Sequence, residues 1–350
     1  MFHAGTLRLW LGWSNKLAKS TLIYPPLAFI SLAIGVHIGL LRKVSKEKSN
    51  LAITGSLLLT VFLWGGNNAG TKWLVNDWPP IFAGATRSLA AGLLLLALLR
   101  FTNWLGVFHP ITSAQYRQLW WRGGLSLAAY VAVFFWAVHL TNASHVALYL
   151  GASPIWALLW EERPRWTWNS AQRYGAALLA VSGVVVLFWP ALQAGTGNIN
   201  FIGELCGLAS SLFWANYSRQ CRHLARRVDG VEIAAHSMWM SGVCLLPLGL
   251  LPLWHHPLLV DKPHVEVQLL CILFGGVIPY ALWNGALRHW QTSKVMLFNN
   301  FIPVSTTIWA YFALHEPITP TFCTAMVLIA LGVLLGQADW SKIFGTPESF

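Results

Sequence analysis

One charged side chain sits where charge is expensive. Arg87 interrupts the apolar run 79–100, about eight residues from one end. At about 1.5 Å per residue, that is roughly 12 Å into a helix. A guanidinium this far inside an apolar segment needs a partner or a wet cavity, because its desolvation costs several kcal/mol. Its planar fork suits bidentate capture of a carboxylate, so anion binding is the chemistry expected of it. A structural clamp onto backbone carbonyls, or onto an acid such as Glu204, is the alternative.

The other polar groups at depth are mostly amides. Asn67 and Asn68 lie in one apolar run, Asn284 in another, and Asn299 and Asn300 in a third. Each requires a partner helix or a hydrated cavity. Asn299 and Asn300 are adjacent and point different ways, so Asn300 alone is taken as cavity-lining. The aromatics Trp64, Tyr149, Trp214, Tyr217, Tyr280 and Trp283 fall on the same runs. They can build an apolar wall for a flat or aliphatic group, although ordinary packing also uses such rings. For moving a proton, the candidates are Glu204, near the end of a run, and His145 and His236, whose side-chain type titrates near neutrality.

Catalytic signatures are missing. There is no HExxH, no GxxxxGK[ST] and no GxSxG, so the chain is read as a non-enzyme. The five cysteines are scattered, with no CxxC or metal-ligand spacing, and neither a metal nor another cofactor is expected.

The elements that must position these residues are apolar spans. The 350-residue chain is 56% hydrophobic and only 10% charged, against roughly 25% charged in soluble domains. Too few charges remain to cover a water-facing surface, so the expected solvent is lipid. Ten helix-length apolar segments can be read: 51–72, 79–100, 120–140, 143–161, 172–190, 201–218, 232–254, 267–288, 293–314 and 318–337. The fold class is therefore all-α and polytopic. Trp73, Trp78, Trp104, Trp120, Trp189, Trp254, Trp290 and Trp340 lie near segment ends, where interfacial anchoring is expected. Residues 1–50 form an N-terminal extension with its own apolar run, Leu22–Leu41. It reads as an extra transmembrane or anchor segment, or as a dispensable extension.

Charge placement orients the spans. With the segment before residue 51 in the cytoplasm, the inside collects Arg42, Lys43, Lys46, Lys48, Arg100, Arg117, Arg122, Arg163, Arg165, Arg173, Arg219, Arg222, Arg226, Arg227, Arg288, Lys294 and Lys342. The outside collects Lys72 and Lys262. This is the positive-inside asymmetry. It explains the net charge of +11 without nucleic acid, and it places both ends of the core and the tail 338–350 in the cytoplasm; the membrane expected is a bacterial inner membrane.

The chain also repeats itself. Shifted by 149 positions, Ser144-His145-Val146-Ala147-Leu148 falls on Ser293-Lys294-Val295-Met296-Leu297, Pro154 on Pro303, Trp160 on Trp309 and Gly183 on Gly332. Leu63-Trp64-Gly65 meets Phe213-Trp214-Ala215 at a shift of 150. Two halves, 51–190 and 201–337, each hold five segments. An odd number inverts the second half in the membrane, as in transporters whose substrate site lies near the midplane between repeats.

The run Leu63-Trp64-Gly65-Gly66-Asn67, then Trp78-Pro79-Pro80 and Ala85-Thr86-Arg87-Ser88-Leu89, resembles the first two helices of EamA-type proteins of the drug/metabolite transporter superfamily. Pro279-Tyr280-Ala281-Leu282-Trp283-Asn284-Gly285-Ala286-Leu287-Arg288, Pro303 and His315-Glu316-Pro317 extend the likeness through the second half. One motif departs. The family's Gly-Glu-Arg after the fourth helix of each half reads Trp160-Glu161-Glu162-Arg163 in the first half, out of register with Glu316, so a matched pair of acids is not expected. The resemblance implies a secondary transporter, an exporter of small metabolites such as amino acids, working by alternating access. Its expected partners are a small-molecule substrate and the lipid bilayer, with a homodimer as an open option. The alternatives are a non-transporting membrane enzyme or scaffold, and a nucleotide-sugar or lipid-precursor carrier on the same fold.

Overall fold

The computed structural model describes residues 46–102, 105, 108–141, 143–151, 153–161, 168–193, 201–254, 258–314 and 320–337. Within the helices a few side chains are also outside the description, those of His145 and Glu204 among them. The apolar run of the N-terminal extension and the tail 338–350 lie outside the described residues. The chain divides into two compact units, Met1–Ile53 and Thr54–Phe350, and the second holds the helical bundle.

Every regular element among the described residues is helical. In chain order they are α1 Lys46–Leu74, α2 Pro80–Phe101, α3 Ser113–Leu140, α4 Ala143–Gly151, α5 Ser153–Glu161, α6 Trp168–Gln193, α7 Phe201–Leu224, α8 Gly230–Trp254, α9 Lys262–His289, α10 Thr292–Met296, α11 Phe301–Leu314 and α12 Pro320–Gln337. Of these α2, α3, α8 and α9 are long and apolar enough to cross a membrane by length and composition alone. Leu93, Leu248, Leu269, Leu331 and Leu334 are exposed on the bundle's outside, as lipid would require. Ser210, Ser211, Ser218, Ser237, Asn284 and Asn299 are buried within it.

Local sequence sets the helix ends. Pro80 opens α2 at a position whose N–H would be unpaired anyway. Thr112 and Gln115 close a capping box on α3. Asp229 caps α8 through Val231 N, and Asp261 caps α9 through His264 N. α3 and α9 each pass through one π-helical stretch, Leu119–Gly124 and Cys271–Val277, and each stretch contains a Gly-Gly pair. Such widened turns tend to mark functional places in helices.

Small residues let the helices close on one another, the usual means of packing where lipid supplies no hydrophobic drive. Gly92 and Gly242 bring the backbones of α2 and α8 together, at Trp239 and Leu89. Gly183 and Gly332 do the same between α6 and α12. α1 meets α9 where Gly70 faces Cys271, and meets α11 where Gly65 faces Ser305. At each of these crossings a first-half helix packs on a second-half helix.

Two of the expected interfacial tryptophans are not at a surface. Trp78 is buried and its indole N–H donates to Leu259 O at 2.7 Å, clasping the α1–α2 turn to the segment before α9. Trp290 is buried as well, whereas Trp73, Trp189 and Trp254 are exposed. Position near a segment end does not separate a ring facing lipid from one packed inside the bundle.

Candidate functional site

Arg87 is buried on α2, four residues after Ala83, with a face of α1 and α9 opposite it. Its Nε and Nη2 donate to one oxygen, Gln268 Oε1, at 3.2 and 3.0 Å. Nη1 donates to Asn67 Oδ1 at 3.0 Å and Thr71 Oγ1 at 2.6 Å. The Phe135 ring lies 5.0 Å from the guanidinium carbon, close enough for a cation–π contact. Gln268 is fixed in turn, its amide donating to Ala83 O and Thr86 Oγ1, both at 3.0 Å. The partners are thus all neutral. In place of an acid, two amides and a hydroxyl form the clamp, and among the described residues no carboxylate balances the charge.

Beneath this clamp lies a cavity whose polar edge is Asn67, Asn68, Arg87 and Ser88, and whose aromatic wall is Trp64, Tyr130, Phe134, Phe135, Trp214 and Tyr280. It offers about 50 Å³ to the centres of water-sized spheres, room for a few waters. The Asn68 amide nitrogen is buried beside it, with no partner among the described residues. That leaves a donor of the kind a carboxylate or carbonyl would accept from.

Trp64 and Trp214, which the repeat aligns, meet edge to face with centroids 5.1 Å apart. Tyr280 and Trp283 close on Trp64 at 5.7 and 5.1 Å, and Tyr130 on Trp214 at 4.9 Å. The Trp64 indole N–H donates to Gly275 O at 3.0 Å. Gly275 lies in the π-helical stretch of α9 and carries no side chain, and a Cβ there would lie 2.0 Å from Asn67 Oδ1. Below the aromatics, Trp283 is fully buried and donates to Ser218 Oγ at 3.0 Å.

Several expected site residues lie elsewhere. Tyr217 is buried behind Trp214 and receives a hydrogen bond from Asn284 Nδ2 at 3.3 Å; neither lines the cavity. Asn284 also bonds Tyr280 O, four residues back, so it knits α9 together. Asn300 Nδ2 turns to Leu297 O and Asn299 Nδ2 to Ser153 Oγ. Both amides sit on the 3₁₀ stretch Leu297–Asn300 between α10 and α11; Asn300 bonds within that stretch and Asn299 bonds across to α5, and neither lines the cavity. Tyr149 packs against Gly207 and is absent from the cavity wall. His236 accepts from Trp239 Nε1 at 3.1 Å, faces Tyr116 and does not line the cavity. The side chains of His145 and Glu204 lie outside the described residues.

Sequence reasoning misses Thr71, Gln268, Ser88 and Phe135. Gln268 reads as a residue at the mouth of a span beginning at 267. The helix in fact begins at Lys262, under the Asp261 cap, and carries Gln268 to the depth of Arg87. We expect Gln268→Leu to cost about 2–3 kcal/mol, because it strips a buried guanidinium of two charge-assisted bonds. Thermal denaturation in detergent reads this. The double variant with Arg87→Leu should recover much of the loss, a coupling that independent sites would not show.

The EamA-like transporter family matches the sequence twice, at residues 52–189 and 201–336. The chain belongs to that family. Its members are transporters, and this one is an integral membrane transporter. An uncharacterized transporter of Archaeoglobus fulgidus is 22% identical over 289 residues, covering 81% of this chain and 96% of its own length. A probable terminal-alkyne amino-acid exporter of Streptantibioticus cattleyicolor is 24% identical over 80% of this chain and 91% of its own. An S-adenosylmethionine/S-adenosylhomocysteine transporter of Chlamydia muridarum is 22% identical over 80% and 89%. A solved crystal structure shares the fold with a TM-score of 0.64 at 18% identity, across 82% of this chain and 97% of that one.

Proposed function

We propose that this EamA-like protein is a secondary transporter of the bacterial inner membrane, exporting a small carboxylate-bearing metabolite such as an amino acid by alternating access. The observation that carries this reading is Arg87: a buried guanidinium, held by neutral groups alone among the described residues, at the edge of a cavity walled by aromatic rings. A buried charge without a counter-charge gains most from an incoming anion, and the rings favour an apolar side chain on that anion. The cavity as it stands holds a few waters, so cargo enters only when the walls move. Two inverted five-helix halves rocking about the cavity would supply that motion. One relative is named an amino-acid exporter, which agrees with this cargo.

The test is counterflow in proteoliposomes with a panel of amino acids, their decarboxylated amines and their deaminated acids. Flux is expected for compounds bearing a carboxylate and an apolar side chain, and not for the amines. If a folded protein moves none of the panel, the proposal fails. If it moves only amines, the role given to Arg87 fails.

A further inference from the structure

Directly above the Arg87 clamp, at the end of the bundle nearest Asp77, a histidine is held between two acids. His264 is buried in the first turn of α9. Its Nδ1 lies 2.5 Å from Asp261 Oδ1 and its Nε2 lies 3.1 Å from Asp77 Oδ2. Asp77 belongs to the α1–α2 turn of the first half, Asp261 to the cap of α9 in the second. The Trp73 ring lies 4.5 Å from the imidazole, tilted against it, and the Trp78 ring lies parallel to it at 6.1 Å.

This geometry favours the charged ring. A neutral imidazole has one donor and one acceptor nitrogen, and an ionised carboxylate only accepts. With both carboxylates ionised, hydrogen bonds to the two of them require the imidazolium. The Trp73 ring at 4.5 Å adds to its attraction. The His264 backbone N–H and ring donate to Asp261 and hold that carboxyl below its ordinary value, so it stays ionised while the ring titrates. Other charges nearby are engaged elsewhere. Lys262 pairs with Glu266 at 3.7 Å on the exposed side, and Lys72 donates to Val138 O and Thr141 O. Arg87 is the next charge below, behind Gln268.

We propose that His264 is a proton-binding latch of the transport cycle, whose imidazolium ties the first half to the second and keeps this end of the cavity shut. The proposal rests on the alternating-access reading above. His264, Gln268 and Cys271 follow one another down one face of α9. Gln268 grips Arg87 of α2, and Cys271 lies against Gly70 of α1. Loss of the proton leaves one carboxylate facing an imidazole lone pair, and the seam along that face loses its tie. Both acids are about half exposed, 48% for Asp77 and 46% for Asp261, so the proton exchanges with water at this end.

Cys271 is a built-in reporter of the seam, since it is buried there in the closed form. The full chain, with Cys206, Cys221, Cys244 and Cys323 changed to serine, is placed in nanodiscs and labelled with a membrane-impermeant maleimide. Gln imitates the neutral ring, so His264→Gln should label about tenfold faster than the parent at about pH 5.5, where a histidine is charged. The two rates should converge at about pH 8.5. Taking the ratio at each pH removes the thiol's own pH dependence. Asp77→Asn should act in the same direction and guards against a misfolded His264 variant. A ratio near one at every pH, for both variants, overturns the latch. If labelling behaves as expected while proteoliposomes carry no cargo, the latch stands and the transport reading falls.

Discussion

Arg87→Lys should yield a folded protein that binds a carboxylate cargo about a hundredfold more weakly. Lysine keeps the charge but presents a single ammonium on a flexible stem, without the planar fork. The four hydrogen bonds of Arg87 run in two directions, to Gln268 on one side and to Asn67 and Thr71 on the other. One ammonium cannot satisfy both and still offer a donor to the cavity. A loss of two orders of magnitude in affinity, about 2.7 kcal/mol, is expected. It is measured by isothermal titration or by tryptophan quenching from Trp64 and Trp214, which line the same cavity. Arg87→Ala should bind no better, yet its melting temperature should shift only modestly. Deleting the guanidinium leaves polar groups on Asn67, Thr71 and Gln268 unpaired, but it also removes a buried charge whose desolvation nothing fully repays. Collapse of stability with affinity intact would make Arg87 a girder. Gln268→Glu separates the two roles from the other side: it places a counter-charge on Arg87 and should weaken anion binding without moving the arginine.

Depth is legible in the sequence, and partnership is not. Arg87 stands out because a charge inside an apolar run has only a few tolerable environments. Trp64 and Trp214 stand out because the repeat aligns them, and they do meet at 5.1 Å. The amides mislead because packing also uses them. Asn284 and Asn300 bond carbonyls three or four residues back and Asn299 bonds Ser153 of the other half, and residue type cannot distinguish that outcome from a cavity wall. Gln268 and His264 are hidden by the opposite error. Asp261 starts α9 early, so His264, which reads as loop, and Gln268, which reads as the mouth of a span, become the inner face of a buried helix start. Capping chemistry is visible at Asp261, but hydropathy draws the boundary, and hydropathy places a helix start where the apolar run begins rather than where the backbone turns. The family's all-helical character follows from composition; which helices touch depends on glycines whose neighbours lie more than a hundred residues away.

Those glycines carry the largest expected effect on stability. A Cβ on Gly92 would lie 2.2 Å from Trp239 N and 2.8 Å from both Ala235 O and Trp239 Cα. These are backbone atoms of α8, which cannot swing aside as a side-chain tip could. On the same crossing, a Cβ on Gly242 would meet Leu89 N and Cβ at 2.6 Å. Gly92→Val must therefore drive α2 and α8 apart along their length, and a loss of about 3 kcal/mol is expected, the upper end for overpacking. Gly175 supplies the contrast. It lies in the helix α6, and among the described residues a methyl group there would meet nothing within 4 Å, so Gly175→Ala should gain about 0.5–1 kcal/mol from helix propensity and chain entropy alone. Thermal melts of the two variants in one detergent should move in opposite directions. Arg87 lies five residues before Gly92 on α2, so the Val variant should also weaken carboxylate binding, while Gly175→Ala leaves it unchanged. If Gly92→Val melted like the parent, the α2–α8 contact would not be backbone to backbone, and the placement of Arg87 over the cavity would lose its support.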